Sequence, residues 1–423
     1  MSIPNSVPNQ EAAPASIAAD LQDERLVQHR GPGGAFHAFM ARIRGGDLGA
    51  LPVVVGLIII WAVFQMLNPV FLSSTNLVNL SMQCAAVGTI ALGIVLVLLL
   101  GEIDLSVGSV SGLASAVLAV GFVQWGWPLI GAVLAALALG AVIGLFYGFL
   151  YTRFGVPSFV ITLAGLLGFL GLQLLVLGKT GSVNIPFDSW IVRFAQQMFL
   201  PEWLSYVLVL LTVLVFGWQT WFHAHRRAAA NLSHLSTSSI LLRCVGLLVV
   251  LAVPTWYLNR SRGVGLMFLL FLVLVVLMNF LLTRTRWGRA VFAVGGSVEA
   301  ARRSGLRVRR VYLSVFILCS TFAALGGILA AARLAAANQS SGGGDTNLNA
   351  IAAAVIGGTS LFGGRGSAYS ALLGIVVIQS ISSGLTLLSL DASVRYMITG
   401  AVLLLAVIID SLSRRSRQAA GRA

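Results

Sequence analysis

The stretch "LSMQCAAVGTIALGIVLVLLL", residues 80–100, holds no charged residue across twenty-one positions. A helix of about 20 apolar residues crosses the roughly 30 Å hydrocarbon core of a bilayer. Runs of this kind recur along the whole chain, and they constrain its fold more than any other feature. Only 9% of the 423 residues are charged and 58% are hydrophobic, whereas a soluble domain carries about 25% charged residues. Such a chain has too little polar surface to face water. The expectation is an all-α fold, a polytopic transmembrane helical bundle.

Apolar runs bounded by charges predict about twelve spans. They lie near 50–68, 80–100, 106–123, 127–150, 157–177, 202–221, 239–258, 263–283, 311–334, 348–363, 366–388 and 393–410. Those near 106–123 and 348–363 are short and rich in Gly, Ser and Thr, which predicts broken or partial helices. The 27 basic residues set the orientation. With both termini on the cytoplasmic side, inside positions hold four before the first span, Arg153, three in 226–243, eight in 284–310, Arg365 and four at the C-terminus. Only Lys179, Arg193, Arg260, Arg262, Arg333 and Arg395 fall outside. This is a strong positive-inside bias. The net charge of +14 therefore reads as topology and contact with anionic membrane lipids, not as a nucleic-acid surface.

The domain organisation follows. Residues 1–45 are expected to form a cytoplasmic tail, since they lack the basic start and apolar run of a secretion signal. Within "GGAFHAFMARIRGGD" (33–47), Phe36, Phe39, Met40 and Ile43 fall at helical spacing, which fits either an interfacial elbow helix or a basic flank. A membrane domain over 46–410 contains a polar loop at 284–310, and a basic tail runs from 411 to 423. Cys84, Cys244 and Cys319 all lie in apolar segments, as small buried hydrophobes do.

Two acids interrupt this pattern. Glu102 and Asp104 sit in "LVLLLGEIDLSVGSVSGLASAV", between apolar runs, where a mid-bilayer carboxylate costs about 2.5–3.5 kcal/mol. Asp104 precedes "LSVGS", so its carboxylate is placed to accept from the backbone N–H of Ser106 or Val107. Glu102 then faces water or a basic partner. Holding a helix break open is one role for the pair; touching a ligand's hydroxyls or gating is the other.

Small residues mark close helix contacts. Gly140, Gly144 and Gly148 are four apart, and Gly108 and Gly112 repeat the spacing. A second segment, "AAVIGGTSLFGGRGSAYSALLG", also passes through a glycine-and-serine break into a small-residue helix. Paired broken helices surround the substrate path of many transporters. Break and path candidates are therefore Gln83, Glu102, Asp104, Ser106, Gly108, Ser109, Gly357, Gly358, Thr359 and Ser360, with Gln173, Asn338, Gln339 and Gln379 as further polar lining.

The loop "TRTRWGRAVFAVGGSVEAARRSGLRVRRVYLS" (283–314) contains a short helix by its own signals. Ser297 is a cap, Glu299 sits in the first turn and Gly305 ends it. A stiff capped helix outside the membrane suits docking to another protein, where a mere connector needs no caps.

The blocks "GEIDLSVGSV", "VPSFVITLAG", "TRTRWGRAVFAVGGSVEAARRSGLRV" and "NAIAAAVIGGTSLFGGRGS" together resemble bacterial ATP-binding-cassette sugar permeases of the ribose/xylose branch. The resemblance spans residues 50–410 in the same order. The added pair of spans near 239–283 resembles the D-xylose members. It implies a homodimeric permease for a monosaccharide, D-xylose foremost, that binds ATPase subunits and receives sugar from a periplasmic binding protein. By position it implies that Ser297, Glu299, Ala300, Ala301, Ser304 and Gly305 dock the ATPase. Ser297 stands where the family has Asn, and Arg303 where it has an apolar residue.

No GxxxxGK[ST] phosphate loop, metal set or nucleophile triad occurs in the sequence. The chain is thus expected to be a transport subunit without catalytic residues, cofactor or metal, whose ATPase is a separate protein. The alternative is a proton-coupled secondary sugar carrier. That would distribute acids over several spans and show two matching six-span halves. An intramembrane lipid-processing enzyme would need clustered Asp or His, and a non-transporting scaffold leaves the capped loop unexplained.

Overall fold

The computed structural model describes residues 51–391 and, beyond them, residues 393, 394, 396–398, 400, 401, 404 and 408, all helical. The expected tail over 1–45, the elbow helix near 33–47 and the basic tail over 411–423 lie outside the described residues. Fourteen helices and one two-stranded sheet are described. Nine of the described helices are long and apolar enough to cross a membrane. Most of the expected spans are helices with ends displaced by a few residues.

Two long helices form the centre. Helix α2 (Ser74–Leu99) follows a shorter α1 (Leu51–Leu67), and Ser73 caps it by accepting from the Asn76 N–H. From Gly88 to Leu99 every residue of α2 is buried. A helix apolar on all faces is one enclosed by other helices. Its counterpart α12 (Val308–Leu334) runs antiparallel to it. A Cβ on Gly93 would stand 2.8 Å from the Cys319 carbonyl, and one on Gly326 would stand 2.8 Å from that of Ala86.

Each central helix ends in an extended segment followed by a short helix. After α2, residues 100–106 lead into α3 (Val107–Ala119), which finishes in a π-turn at Val120–Gln124. Helices α4 (Leu129–Phe154) and α5 (Ser158–Leu177) come next. After α12, residues 335–343 lead into α13 (Gly344–Ile356), then α14 (Ala368–Leu387). The same order thus occurs twice, inverted because α2 and α12 are antiparallel. The packing is reciprocal. Helix α4 lies on α12, where Gly140 and Gly144 meet the Ser320 and Phe316 carbonyls. Helix α14 lies on α2, where Cys84 reaches the Ile375 carbonyl and Ser383 bonds Asn76.

This repeat corrects the pairing expected from sequence. The segment that matches 100–106 is 335–343. Residues 357–367 are a glycine turn between α13 and α14, and the helix expected at 348–363 occupies Gly344–Ile356. The expected 348–363 boundary followed apolar content, whereas packing lets the Gly-rich "SSGGG" enter the fold before the helix begins.

Four further elements complete this part of the chain. Strand β1 (Ser182–Asn184) pairs antiparallel with β2 (Ala336–Asn338), with Val183 opposite Ala337. Helix α6 (Trp190–Gln196) follows β1, and Gln196 donates to the Arg333 carbonyl. Helix α9 (Leu266–Arg284) seats Phe271 against Gly88 of α2. Residues 203–254 form a separate compact unit built from α7 (Glu202–Ala229) and α8 (Thr237–Asn259).

Candidate functional site

The first break is held by side chains. Its backbone donors are taken in turn: Ile103 donates to Ser158 Oγ at 3.4 Å and Leu105 to Thr162 Oγ1 at 3.1 Å. Ser106 donates to Asp104 Oδ1 at 2.8 Å through its backbone and at 2.7 Å through its hydroxyl. Asp104 is only 1% exposed. Tyr147 OH donates to Ser106 Oγ at 2.7 Å, and Cys319 Sγ contacts the second Asp104 oxygen at 3.8 Å. The carboxylate therefore satisfies the residue that begins α3, although Ser106 itself, not Asp104, occupies the cap position. Glu102 has a different partner from the one expected. It accepts from Tyr151 OH at 2.6 Å, and the Tyr151 ring lies 4.6 Å from that of Tyr312.

The second break is held by backbone. Ala336–Asn338 are paired in the sheet, Ile185 donates to the Ala335 carbonyl at 2.8 Å, and Gln339 donates to Gly181 at 3.1 Å. Ala335 adopts a left-handed φ of 52°. Gln173 Nε2 then bonds both the Asn338 and Ser341 carbonyls at 3.0 Å.

Each break touches the short helix that follows the other. Gly342 has φ +68°, and a Cβ there would overlap the Gly108 carbonyl. Across the same contact Asn347 Nδ2 donates to the Leu105 carbonyl at 2.7 Å. Two buried acceptors beside it, Gln173 Oε1 and Asn347 Oδ1, have no partner among the described residues. Of the sequence candidates, Asp104, Ser106 and Gly108 come together here, and Ser109 lies alongside, donating to the Leu166 carbonyl at 2.8 Å. Gln83 is half-buried on α2.

Gly357, Gly358, Thr359 and Ser360 are elsewhere, in the turn after α13. Thr359 is buried, its hydroxyl has no partner among the described residues, and the Ser360 backbone N–H donates to the Arg365 carbonyl. That turn docks on the end of α2, where Gly364 donates to the Leu99 carbonyl at 2.8 Å. Gly295 lies against the same carbonyl so closely that any Cβ would overlap it.

Gly295 belongs to α10 (Arg286–Gly296), capped by Thr285 accepting from Gly288. Val291 and Val294 are fully buried, and Trp287 Nε1 donates to Ser314 at 2.8 Å. The next helix, α11 (Val298–Arg303), begins at Ser297, whose hydroxyl accepts from Ala300 at 3.3 Å. Ala301 is buried, Ser304 donates to its carbonyl, and Gly305 takes φ +81°. Glu299 pairs with Arg303 at 3.2 Å and Arg302 at 3.7 Å on the exposed face. The whole of α10, and Asn347, went unread in the sequence. The spacing of Trp287, Val291 and Val294 was the available signal for α10.

The profile of the family described as branched-chain amino acid transport system, permease component, matches residues 76–407. The chain belongs to this permease family. It is 37% identical over 346 residues to the xylose transport system permease protein of Escherichia coli (strain K12), covering 82% of this chain and 87% of that one. The Haemophilus influenzae protein of the same name is 34% identical over 379 residues, covering 89% of this chain and 100% of its own. The ribose import permease protein of Escherichia coli (strain K12) is 31% identical over 358 residues, 85% and 92% of the two chains. No solved structure matches. Members of this permease family are transport components, and this one is a multi-pass protein of the bacterial inner membrane.

Proposed function

We propose that this chain is the membrane-spanning permease subunit of a binding-protein-dependent importer for a monosaccharide, D-xylose foremost. The observation that carries the reading is the identity to xylose permeases over more than four-fifths of the chain. A separate ATP-binding-cassette ATPase drives it, a periplasmic sugar-binding protein loads it, and a second copy of the permease completes it. The chain itself supplies no ATPase site, and the loop over 284–310 faces the cytoplasm.

Ser297, Glu299, Ala300, Ala301, Ser304 and Gly305 form the ATPase-coupling helix. Its caps fix both ends, its outer face is exposed, and α10 ties it to the ends of α2 and α12. The path for sugar runs by the two breaks, where each meets the other's short helix. Glu102 and Asp104 hold the first break in place, and the free acceptors Gln173 Oε1 and Asn347 Oδ1 suit a hydroxyl-rich neutral cargo. A proton-coupled carrier is disfavoured because Asp104 is bound by local donors and the acid beside it in the chain, Glu102, is engaged by Tyr151.

The test is reconstitution. Purified alone in lipid, the chain should neither hydrolyse ATP nor concentrate sugar; with its ATPase and binding protein it should do both. Gly305→Val and Glu299→Lys should keep normal membrane yield. A β-branched residue opposes the left-handed φ, and a lysine opposes the helix dipole. ATPase co-purification or sugar-stimulated hydrolysis should fall several-fold. Uphill uptake on a proton gradient without an ATPase would overturn the assignment, and full coupling in both variants would reduce the loop to a connector.

A further inference from the structure

Between α11 and the first break lies a cavity with about 760 Å³ of water-accessible space, within the usual range of small-molecule pockets, about 300–1,000 Å³. Its lining includes three arginines, Arg302, Arg307 and Arg309, and two tyrosines, Tyr151 and Tyr312. Arg307 and Arg309 are exposed and have no ion pair or side-chain hydrogen bond among the described residues. The acidic lining residue, Glu102, is already engaged by Tyr151. The remaining lining carries two hydroxyl side chains, Thr152 and Ser158, and an apolar part that includes Phe159, Leu306 and Val308.

Phe159, 53% exposed, shares its face of α5 with Leu163, four residues on and 48% exposed, and the two form an exposed apolar strip. A ligand that satisfies every wall needs an anionic head for the arginines and a hydrocarbon tail for the strip. We propose that this cavity binds the headgroup of an anionic phospholipid, with its acyl chains along Phe159 and Leu163. The proposal rests on the membrane reading of the chain but not on its cargo or its ATPase. A bound phosphate would stand between Arg302 of the α11 helix and the Glu102–Tyr151–Tyr312 cluster, so lipid occupancy would brace one against the other.

Native mass spectrometry of the detergent-solubilised full chain, titrated with phosphatidylglycerol or phosphatidylcholine, tests this. The intact chain should retain the anionic lipid preferentially. Arg307→Gln with Arg309→Gln should weaken that retention about 25-fold, taking roughly fivefold for each basic residue near a charged headgroup. Phosphatidylcholine binding should not change. Val308→Trp, which fills the cavity and keeps all three arginines, should also lose the preference, which guards against a fold defect in the double variant. Arg284→Gln with Arg286→Gln removes equal charge elsewhere and should have no effect. Equal loss in this control, an unchanged preference in both cavity variants, or full competition by millimolar inorganic phosphate would overturn the lipid site. Sugar uptake by the intact complex reads the transport assignment separately.

Discussion

The two breaks occupy equivalent places in an inverted repeat, yet they are built from different chemistry. The first carries a buried carboxylate and borrows three hydroxyl-bearing side chains, Ser158, Thr162 and Tyr147, to satisfy its neighbourhood. The second carries no acid in its extended part and relies on strand pairing, glycine and one glutamine. In a medium without water every freed backbone group needs a partner. A segment lined by helices on both sides finds that partner in side chains, while one beside another extended segment finds it in backbone. The comparison teaches that symmetry of architecture does not require symmetry of anchoring.

Disrupting the contact between the second break and α3 should have the largest effect. Gly342→Val places a β-branched side chain at a left-handed φ and into the Gly108 carbonyl, so little folded protein should survive extraction and size-exclusion chromatography. Removing the anchor of the first break comes next. Asp104→Leu strands the Ser106 N–H and hydroxyl, at about 1–3 kcal/mol for each buried unsatisfied group, and should lower both thermal stability and uptake. Asp104→Asn keeps an oxygen for Ser106 and should retain most of both. Abolished uptake in a normally folded Asn variant would instead make the negative charge essential.

The corresponding anchor of the second break should matter less. Gln173→Leu frees the Asn338 and Ser341 carbonyls, but interhelical hydrogen bonds in membranes average only about 0.6 kcal/mol. A thermal shift smaller than that of Asp104→Leu is expected. A larger one would show that the second break is the weaker of the two. The smallest effect should come from Ala335→Gly, which relieves a left-handed alanine and should raise stability by about 0.5–1 kcal/mol in a thermal unfolding assay.

The asymmetry also explains what was readable beforehand. Long apolar runs declare helices because their burial is a property of composition, and the Ser297 cap and the Asp104–Ser106 contact are local, spanning two or three residues. The second break is not legible in "AAANQSSGGG" because no local pattern marks it; contacts with β1, Gln173 and Gly108, all more than one hundred and fifty positions away, draw it inward. Glu102 was legible as an unusual residue but its partner Tyr151 was not, since no local pattern links positions 49 apart. Helix α10 was absorbed into a polar loop because its buried face is narrow and its other faces are basic.

At the end of α2, two segments converge on the Leu99 carbonyl, Gly364 by a hydrogen bond and Gly295 by direct contact, and Gly101, two residues further on, packs against Gly363. Side chains usually separate backbones and take up small shifts by changing rotamer. Here there are none to do so. A push on α10 therefore reaches the last turn of α2 without a compliant layer between them, as through a linkage with no slack. Such a joint has two useful positions, seated and unseated, and nothing stable in between. Adding even a methyl group at Gly295 would not soften the transmission but disconnect it.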